Sequence, residues 1–245
     1  MKRYFTLLAA TMLLILPSCR FIRISDGLKK QLKEQGIEYN ANANGDKITA
    51  SEVMATREKQ PGDFSSLICM LPCDMTYLPG DCKVTINGPD NVLEHIELAN
   101  DGGTLTIKSD GTNFRKLKDL DIILSAPVLK DLTVNGAMDF SAPKGISSTD
   151  FSVTVNGAGD IDIQGLKARL ASVSINGAGD LTINGIDTEE LSVEINGAGD
   201  ATLSGSTGKA TLNISGAGDI DAAGLKADVL DTKSHGIGRI KRPKH

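Results

Sequence analysis

The sequence predicts an all-β fold: a right-handed parallel β-helix with coils of about 20 residues, preceded by less regular strands. A turn motif recurs at intervals of 21, 20, 20, 19 and 20 residues. On both sides of each turn, Val, Ile and Leu alternate with polar residues, as in strands with one buried face. A unit this short cannot close a core alone, so the coils must stack. The turn pairs are Asn135-Gly136, Asn156-Gly157, Asn176-Gly177, Asn196-Gly197, Ser215-Gly216 and His235-Gly236.

The N-terminal residues 1–18 are typical of a signal peptide. Lys2 and Arg3 precede an apolar run over residues 5–16, which is too short for a comfortable membrane-spanning helix. The next four residues, Leu16-Pro17-Ser18-Cys19, resemble a bacterial lipobox and predict lipidation of Cys19. Pro17 departs from the usual lipobox residue, and ordinary secretion is the alternative. A lipid would anchor the chain to a membrane without crossing it.

Residues 19–60 are predicted to form a lipid-anchored flexible tether, because their Lys/Gln-rich and Asn-rich stretches cannot build a core. Surface-exported lipoproteins of Bacteroides-like bacteria resemble one another in having acidic residues after the lipidated cysteine. Here Arg20 and Arg23 occupy that stretch. We therefore expect an exported outer-membrane lipoprotein that faces the periplasm or the cell surface, with the periplasm favoured.

A single domain is predicted over residues 61–245, and its first half consists of short strands. From Asp63 onward β-branched residues become frequent, and Lys83-Val84-Thr85-Ile86 has a strand pattern. Residues 89–96 suit a loop with one helical turn. Asn100-Asp101-Gly102-Gly103 is typical of a hairpin turn, and residues 120–124 predict a further strand. Within the repeats, a second turn returns the chain to the next coil, at Gly165, Gly185, Gly205 and Gly224.

The cysteines beyond residue 19 are odd in number, which in an exported chain predicts one disulfide and one free thiol. They are Cys69, Cys73 and Cys82. Cys73 and Cys82 flank a turn-like sequence, so a bridge between them is a candidate, although the connectivity stays open. The spacing is not that of a zinc ribbon, and no metal site is predicted.

The repeated turn has structural and functional interpretations. Gly allows tight corners and close approach of the coils, and Asn can hydrogen-bond to the same Asn one coil away. An aspartate ends all but the last of these turns, so the carboxylates of successive coils would stack in a column. Carboxylates about 5 Å apart would repel by roughly 0.8 kcal/mol in water. To offset this repulsion, the aspartates could accept hydrogen bonds from amides of their own Gly-rich turn, or they could bind calcium. The candidate surface or ligand column is Asp139, Asp160, Asp180, Asp200 and Asp219, with Asp162, Thr182, Thr202 and Asp221 beside it.

Catalysis and nucleic-acid binding are disfavoured. Repeated carboxylates also occur in β-helical polysaccharide-processing enzymes, which stay an alternative, but this chain has minimal turns and no Trp for a sugar platform. His95, His235 and His245 are scattered, and no catalytic residue is assigned. The net charge of -5 and the acidic repeats disfavour nucleic acid, while the basic residues 239–245 suit the cap of a solenoid end.

A set of motifs spread over about residues 60–245 matches a known family: Asp63-Phe64, Leu71-Pro72-Cys73-Asp74, residues 81–92, residues 103–107 and the repeated Asn-Gly-Ala-Gly-Asp or Ser-Gly-Ala-Gly-Asp turns. In these motifs the sequence resembles the GIN domain, the head domain of auto-transporter adhesins that is common in Bacteroidetes lipoproteins. It departs from the family pattern at Cys73, in place of a usual Gly, and at Arg239, in place of Asp in the last coil.

The resemblance implies a β-helix-like fold without catalytic residues. We therefore expect a non-enzymatic cell-envelope lipoprotein, an adhesin or a binding or scaffold module with a glycan or surface-protein ligand. A calcium-stabilised structural module is the other alternative; otherwise no cofactor and no nucleic-acid partner are expected, and the oligomeric state is left open.

Overall fold

The structure is a computed structural model that describes residues 47–242. The predicted signal peptide, Cys19 and His245 lie outside the described residues. Within residues 47–242 the elements are β1 (Lys47–Thr49), β2 (Met54–Lys59), β3 (Ser66–Cys69), β4 (Cys73–Pro79), β5 (Lys83–Pro89), α1 (Asp90–Leu93), β6 (Ile96–Asp101), β7 (Thr104–Ser109), β8 (Asn113–Arg115), β9 (Asp121–Ala126), β10 (Asp131–Ala142), β11 (Ile146–Ser147), β12 (Asp150–Ala158), β13 (Ile161–Ala178), β14 (Leu181–Ala198), β15 (Ala201–Ala217), β16 (Ile220–Ile237) and β17 (Ile240–Lys241).

The strands from β10 onward stack in parallel, and the predicted fold class is confirmed: a β-solenoid of about six turns, about 20 residues apart. Each repeated residue lies over its counterpart in the preceding coil. Strands β13 and β14, for example, pair Val173 with Val193 and Ile175 with Ile195. All four side chains are buried. Stacking thus joins short apolar rows of single coils into one continuous core.

Each coil has three straight segments, one more than the two predicted turns would produce. In β14 the alternation of buried and exposed residues breaks at Asn184-Gly185 and again at Glu189-Glu190. The third corner is the Asn196-Gly197 turn. Two consecutive exposed glutamates shift the phase of the alternation by one residue, so the chain must bend there to keep Leu191 in the core.

The N-terminal half continues the solenoid and then departs from it. Strands β3 and β4 both pair in parallel with β10, and they form the two sides of an irregular first coil. Beyond β4 the sheet order is β9, β5 and β2, with β5 antiparallel to both of its neighbours. Strands β6 and β7 form the predicted hairpin, and α1 is the predicted helical turn.

Residues 47–59, which we assigned to the tether, form strands β1 and β2. Strand β2 pairs with β5 along its whole length, from Met54 opposite Pro89 to Lys59 opposite Val84. The Arg57 guanidinium donates hydrogen bonds of 2.8 Å to the carbonyls of Leu93 and Ile96. The ordered part of the chain therefore begins before residue 61, because backbone pairing and one Arg hold a strand that has little apolar character.

The predicted bridge between Cys73 and Cys82 is wrong in this structure. Cys73 opens β4, whereas Cys82 follows the turn at the other end of that strand. A strand of seven residues is about 20 Å long, whereas a disulfide requires Cα atoms within about 7 Å. Strands β4 and β5 are also not neighbours, because β9 lies between them. Within residues 47–242 of this structure, Cys69, Cys73 and Cys82 are unbridged.

Candidate functional site

The repeated corner requires glycine for two separate reasons. The φ angle of Gly177 is 150°, in a region that side chains disfavour. A Cβ added to Gly177 would lie 1.8 Å from the carbonyl oxygen of Gly157 in the coil before it. The second glycine of the corner, Gly179, is equally constrained, with 2.0 Å to the carbonyl oxygen of Gly159. Because consecutive coils approach this closely, both positions require glycine.

The asparagines of the corners form the predicted ladder. The side-chain amide of Asn156 donates to Asn135 at 3.0 Å, that of Asn176 to Asn156 at 3.1 Å, and that of Asn196 to Asn176 at 3.1 Å. The next corner has Ser215 instead. Stacked amides of this kind satisfy one another along the axis, so they stabilise the register of the coils.

The five aspartates of the candidate column form a second ladder, and all of their side chains are exposed. Each carboxylate accepts a hydrogen bond from the backbone amide of the equivalent residue in the next coil. The prediction that each carboxylate binds its own turn was therefore wrong by one coil. The donor amides and their distances are Asp160 to Asp139 at 3.0 Å, Asp180 to Asp160 at 2.9 Å, Asp200 to Asp180 at 2.8 Å, Asp219 to Asp200 at 2.7 Å and Arg239 to Asp219 at 2.7 Å.

These amide bonds offset the repulsion between stacked carboxylates. An amide that donates to a carboxylate forms a charge-assisted hydrogen bond, which is stronger than a neutral one. At the C-terminal end of the column, Arg239 replaces the aspartate and supplies both an amide and a positive charge. The ladder therefore ends on a cation, as expected for a cap.

The acidic column extends beyond the repeats toward the N-terminus, which the sequence analysis missed. Asp74 of β4 pairs with Asp139, and Asp121 of β9 pairs with Asp74. Partial burial raises the pKa of Asp74, and the charges of Asp139, Asp121 and Asp119 raise it further. Only the turn that contains Asp74 was visible in the sequence, because the pairing of β4 with β9 joins distant segments.

A row of polar side chains adjoins the Asp column. The strand register aligns Ser141, Asp162, Thr182, Thr202 and Asp221 on successive coils. Ser141, Asp162 and Thr182 of this row line an open groove of about 460 Å³, together with aspartates of the column. At the far end of the row, Lys241 donates to Asp221 at 2.7 Å, and this bond and the amide of Ala223 lower the pKa of Asp221.

Comparison with known proteins identifies the family. The model of the family described as "Putative auto-transporter adhesin, head GIN domain" matches residues 63–186 and 164–241. The chain belongs to this family. A comparison with curated protein sequences gives no match. The predicted resemblance to the GIN domain is therefore confirmed.

Two crystal structures resemble this GIN domain in fold. One is of a putative adhesin from Bacteroides fragilis, with a TM-score of 0.68 and 21% identity over 80% of this chain and 99% of the other. The second is of a putative lipid binding protein from Parabacteroides distasonis, with a TM-score of 0.61 and 18% identity over 81% of this chain and 100% of the other. At such identities the likeness shows the fold alone.

Outside the two ladders, the described residues include a His–Asp pair. His95 Nδ1 lies 2.9 Å from Asp110 Oδ2 and 3.2 Å from the Thr112 hydroxyl. The hydrogen bond with His95, together with bonds from Thr112, lowers the pKa of Asp110 to about 2. Both partners share one ring nitrogen, so the hydroxyl is not arranged as a nucleophile with His95 as its base.

Among residues 47–242, no group of three or more His, Cys, Asp or Glu side chains is arranged to hold a metal ion. No helix in the same range has the length and apolar character to cross a membrane.

Proposed function

We propose that this protein is a non-enzymatic cell-envelope lipoprotein whose solenoid presents a repetitive surface for adhesion or scaffolding. The observation that carries the proposal is the exposed Asp column beside its polar row. The fold uses one oxygen of each carboxylate to accept an amide from the next coil. The side chains stay exposed, so the remaining acceptor capacity faces solvent.

The surface suits a ligand that is itself repetitive and rich in hydrogen-bond donors. Consecutive coils are about 4.8 Å apart, which places carboxylates and hydroxyls at regular intervals along the axis. Each contact alone would be weak because it is solvated, but several contacts in register add through effective concentration. Hydroxyl groups of a glycan or basic side chains of a surface protein supply such donors, and both belong to the proposed ligand classes.

A binding experiment tests the acidic column directly. A soluble fragment starting at Gly45, which retains β1 and β2, is applied to arrays of envelope and host glycans and to surface-protein extracts. In the test variant, Asp160→Asn, Asp180→Asn and Asp200→Asn remove three charges but keep an oxygen that can accept the amide of the next coil. We expect this variant to bind at least about 10-fold more weakly than the unmodified fragment.

The matched control removes three charges from one coil at positions outside the column, by Asp187→Asn, Glu189→Gln and Glu190→Gln. These side chains lie outside the column, so binding should stay within about twofold of the unmodified fragment. Equal losses of affinity in the two variants would indicate that binding depends only on the net charge of the fragment. A folded fragment that retains no ligand would count against adhesion and leave scaffolding as the role.

The lipid anchor is tested separately from binding. We expect metabolic labelling with a fatty acid to mark the unmodified protein and to fail for Cys19→Ala. Protease treatment of intact cells then determines the side of the membrane: digestion places the solenoid outside, and protection places it in the periplasm. An unlabelled unmodified protein in the culture medium would instead support ordinary secretion.

A further inference from the structure

Two buried cysteines flank the first corner of the solenoid. Cys69 ends β3 and pairs with Val134, and Cys73 begins β4 and pairs with Met138. Residues 69–73 therefore occupy the place that the Asn135-Gly136 corner has in the next coil. The two sulfur atoms are 3.8 Å apart, and both side chains are buried.

This corner lacks the contacts that hold the later ones. Met70, Leu71 and Pro72 stand where the next coil has Asn, Gly and Ala, so Asn135 has no amide below it to continue the ladder. Proline also has no backbone N–H to donate. The two thiols share a hydrogen bond, which lowers the pKa of Cys69 and, together with burial, raises that of Cys73. A covalent link would replace the missing contacts.

We propose that Cys69 and Cys73 form a disulfide in the exported protein and leave Cys82 as the free thiol. The two sulfur atoms, now 3.8 Å apart, need to approach to about 2.05 Å to form the bond. Cys82 lies beyond the C-terminal end of β4, with its sulfur 4.0 Å from the carbonyl oxygen of Phe64. This proposal rests on the proposed function in one respect: the protein must be exported, because disulfides persist in oxidising compartments.

The oxidation proceeds by thiol–disulfide exchange with an oxidant that itself carries a disulfide. One cysteine thiolate attacks the oxidant, forms a mixed disulfide and releases one thiol. The second cysteine then attacks the mixed disulfide, forms the Cys69–Cys73 bond and releases the second thiol. The pair of cysteines loses two electrons and two protons, and the oxidant becomes two thiols.

Peptide mapping of the full chain identifies the bridge. The chain, purified without reductant, is denatured, alkylated and cleaved before aspartates. The peptide 63–73 contains Cys69 and Cys73, and the peptide 81–89 contains Cys82. We expect 63–73 unalkylated until it is reduced, and 81–89 alkylated. Alkylation of both cysteines in 63–73, or linkage of that peptide to 81–89, would overturn the proposal.

A second measurement uses purified protein and a defined oxidant, so that it does not depend on export or on adhesion. After complete reduction, oxidised glutathione is added and the melting temperature is followed. We expect a rise of about 4 to 8 °C, as for a short loop closed in a chain of this size. The rise should be absent in Cys69→Ser and in Cys73→Ser, and present in Cys82→Ser. A rise that Cys82→Ser abolishes, or no rise in the unmodified protein, would contradict the bridge.

Discussion

At a single corner, equivalent glycines face different environments because of what lies in the coil before them. Gly177 has the Gly157 carbonyl oxygen 1.8 Å from the position of an added Cβ, whereas a Cβ on Gly136 would meet nothing within 4 Å. Both have positive φ angles, 150° and 143°. Gly177 is therefore required by packing and by backbone conformation, and Gly136 by conformation alone.

We predict that Gly177→Ala costs at least about 3 kcal/mol of unfolding free energy, because two backbones must separate. Gly136→Ala should cost only about 1 to 2 kcal/mol, from its φ angle. Urea denaturation of both variants measures the difference. Equal losses would mean that the contact between coils relaxes without cost, and would refute the packing argument.

The raised pKa of Asp74 makes it a source of instability at neutral pH. Its carboxyl is partly buried beside Asp139 and Asp121, so the folded state holds its proton more tightly than the unfolded state does. Stability then falls as the pH rises through the titration of this group, and the loss is complete above the folded pKa. Asp74→Asn should therefore raise the melting temperature at pH 7.

The gain from Asp74→Asn should shrink as the pH falls below the ordinary value of 3.8, where the unmodified carboxyl is protonated in both states. Asp110→Asn is the contrasting variant. Its lowered pKa means a stabilising charge above 3.8, so this variant should lose stability at pH 7 and lose less near pH 2. Thermal melts from pH 2 to pH 7 provide the check, and parallel profiles for the two variants would contradict both assignments.

At the scale of the elements, periodicity predicted the strands that alternate, and pairing between distant segments had to come from the structure. The repeats appear in the sequence because each inward Val, Ile or Leu recurs one coil later. Strand β2 was missed because it is a charged strand held by backbone bonds and by Arg57. The Cys73–Cys82 prediction failed because β9 inserts between β4 and β5, which neighbouring residues in sequence do not reveal.

At the candidate site too, the sequence predicted the periodic part and missed the part that depends on pairing between distant segments. The sequence identified the five repeated aspartates, because a column in a solenoid is a periodicity. It did not identify Asp74 and Asp121 as members, because they reach the column through strands outside the repeat. It also assigned the donor amides to the same turn as each carboxylate, whereas they belong to the next coil. The offset between coils decides which amide is within reach, and the sequence does not show that offset.

The two faces of a solenoid strand should differ sharply in their contribution to stability. In β14, Ile183 is fully buried, and its neighbour Thr182 lies outward on the polar row. We predict that Ile183→Ala costs about 2 to 5 kcal/mol, because it leaves a cavity between two coils. Thr182→Ala should change stability by less than about 0.5 kcal/mol. Chemical denaturation separates the two, and similar losses would contradict the inward and outward assignment.

Over the whole molecule, the two ends of the solenoid are protected differently. At the N-terminal end the coils continue into β4, β9, β5 and β2. At the C-terminal end of the described residues, β16 is followed by the two-residue strand β17, which pairs with Ile220 and Asp221. The core-facing positions also change there, since Thr232 and Ser234 pair with Leu212 and Ile214. Polar residues therefore occupy two core-facing positions of the last coil.

This asymmetry predicts that the solenoid opens from its C-terminal end. In a stack where each coil contacts only its neighbours, a terminal coil lacks one interface and has the lowest local stability. Within residues 47–242, the strand that pairs with β16 on the side away from β15 is β17, which covers two residues of it. Hydrogen exchange in residues 230–237 should therefore be at least about 100-fold faster than in the equivalent residues 191–198 of β14.

Hydrogen exchange followed by mass spectrometry at several protein concentrations measures this ratio. Exchange that is fast and independent of concentration is the expected result for an open polar end. Substituting Ser234→Ile provides a matched change, because it restores the apolar residue that Ile214 supplies one coil earlier. If exchange in the last coil is fast because its core-facing positions are polar, this variant should slow exchange over residues 230–237 and leave exchange over residues 191–198 unchanged. Equal protection of both segments in the unmodified protein would show that something covers β16, and a protection that fades on dilution would identify a second copy of the chain as that cover.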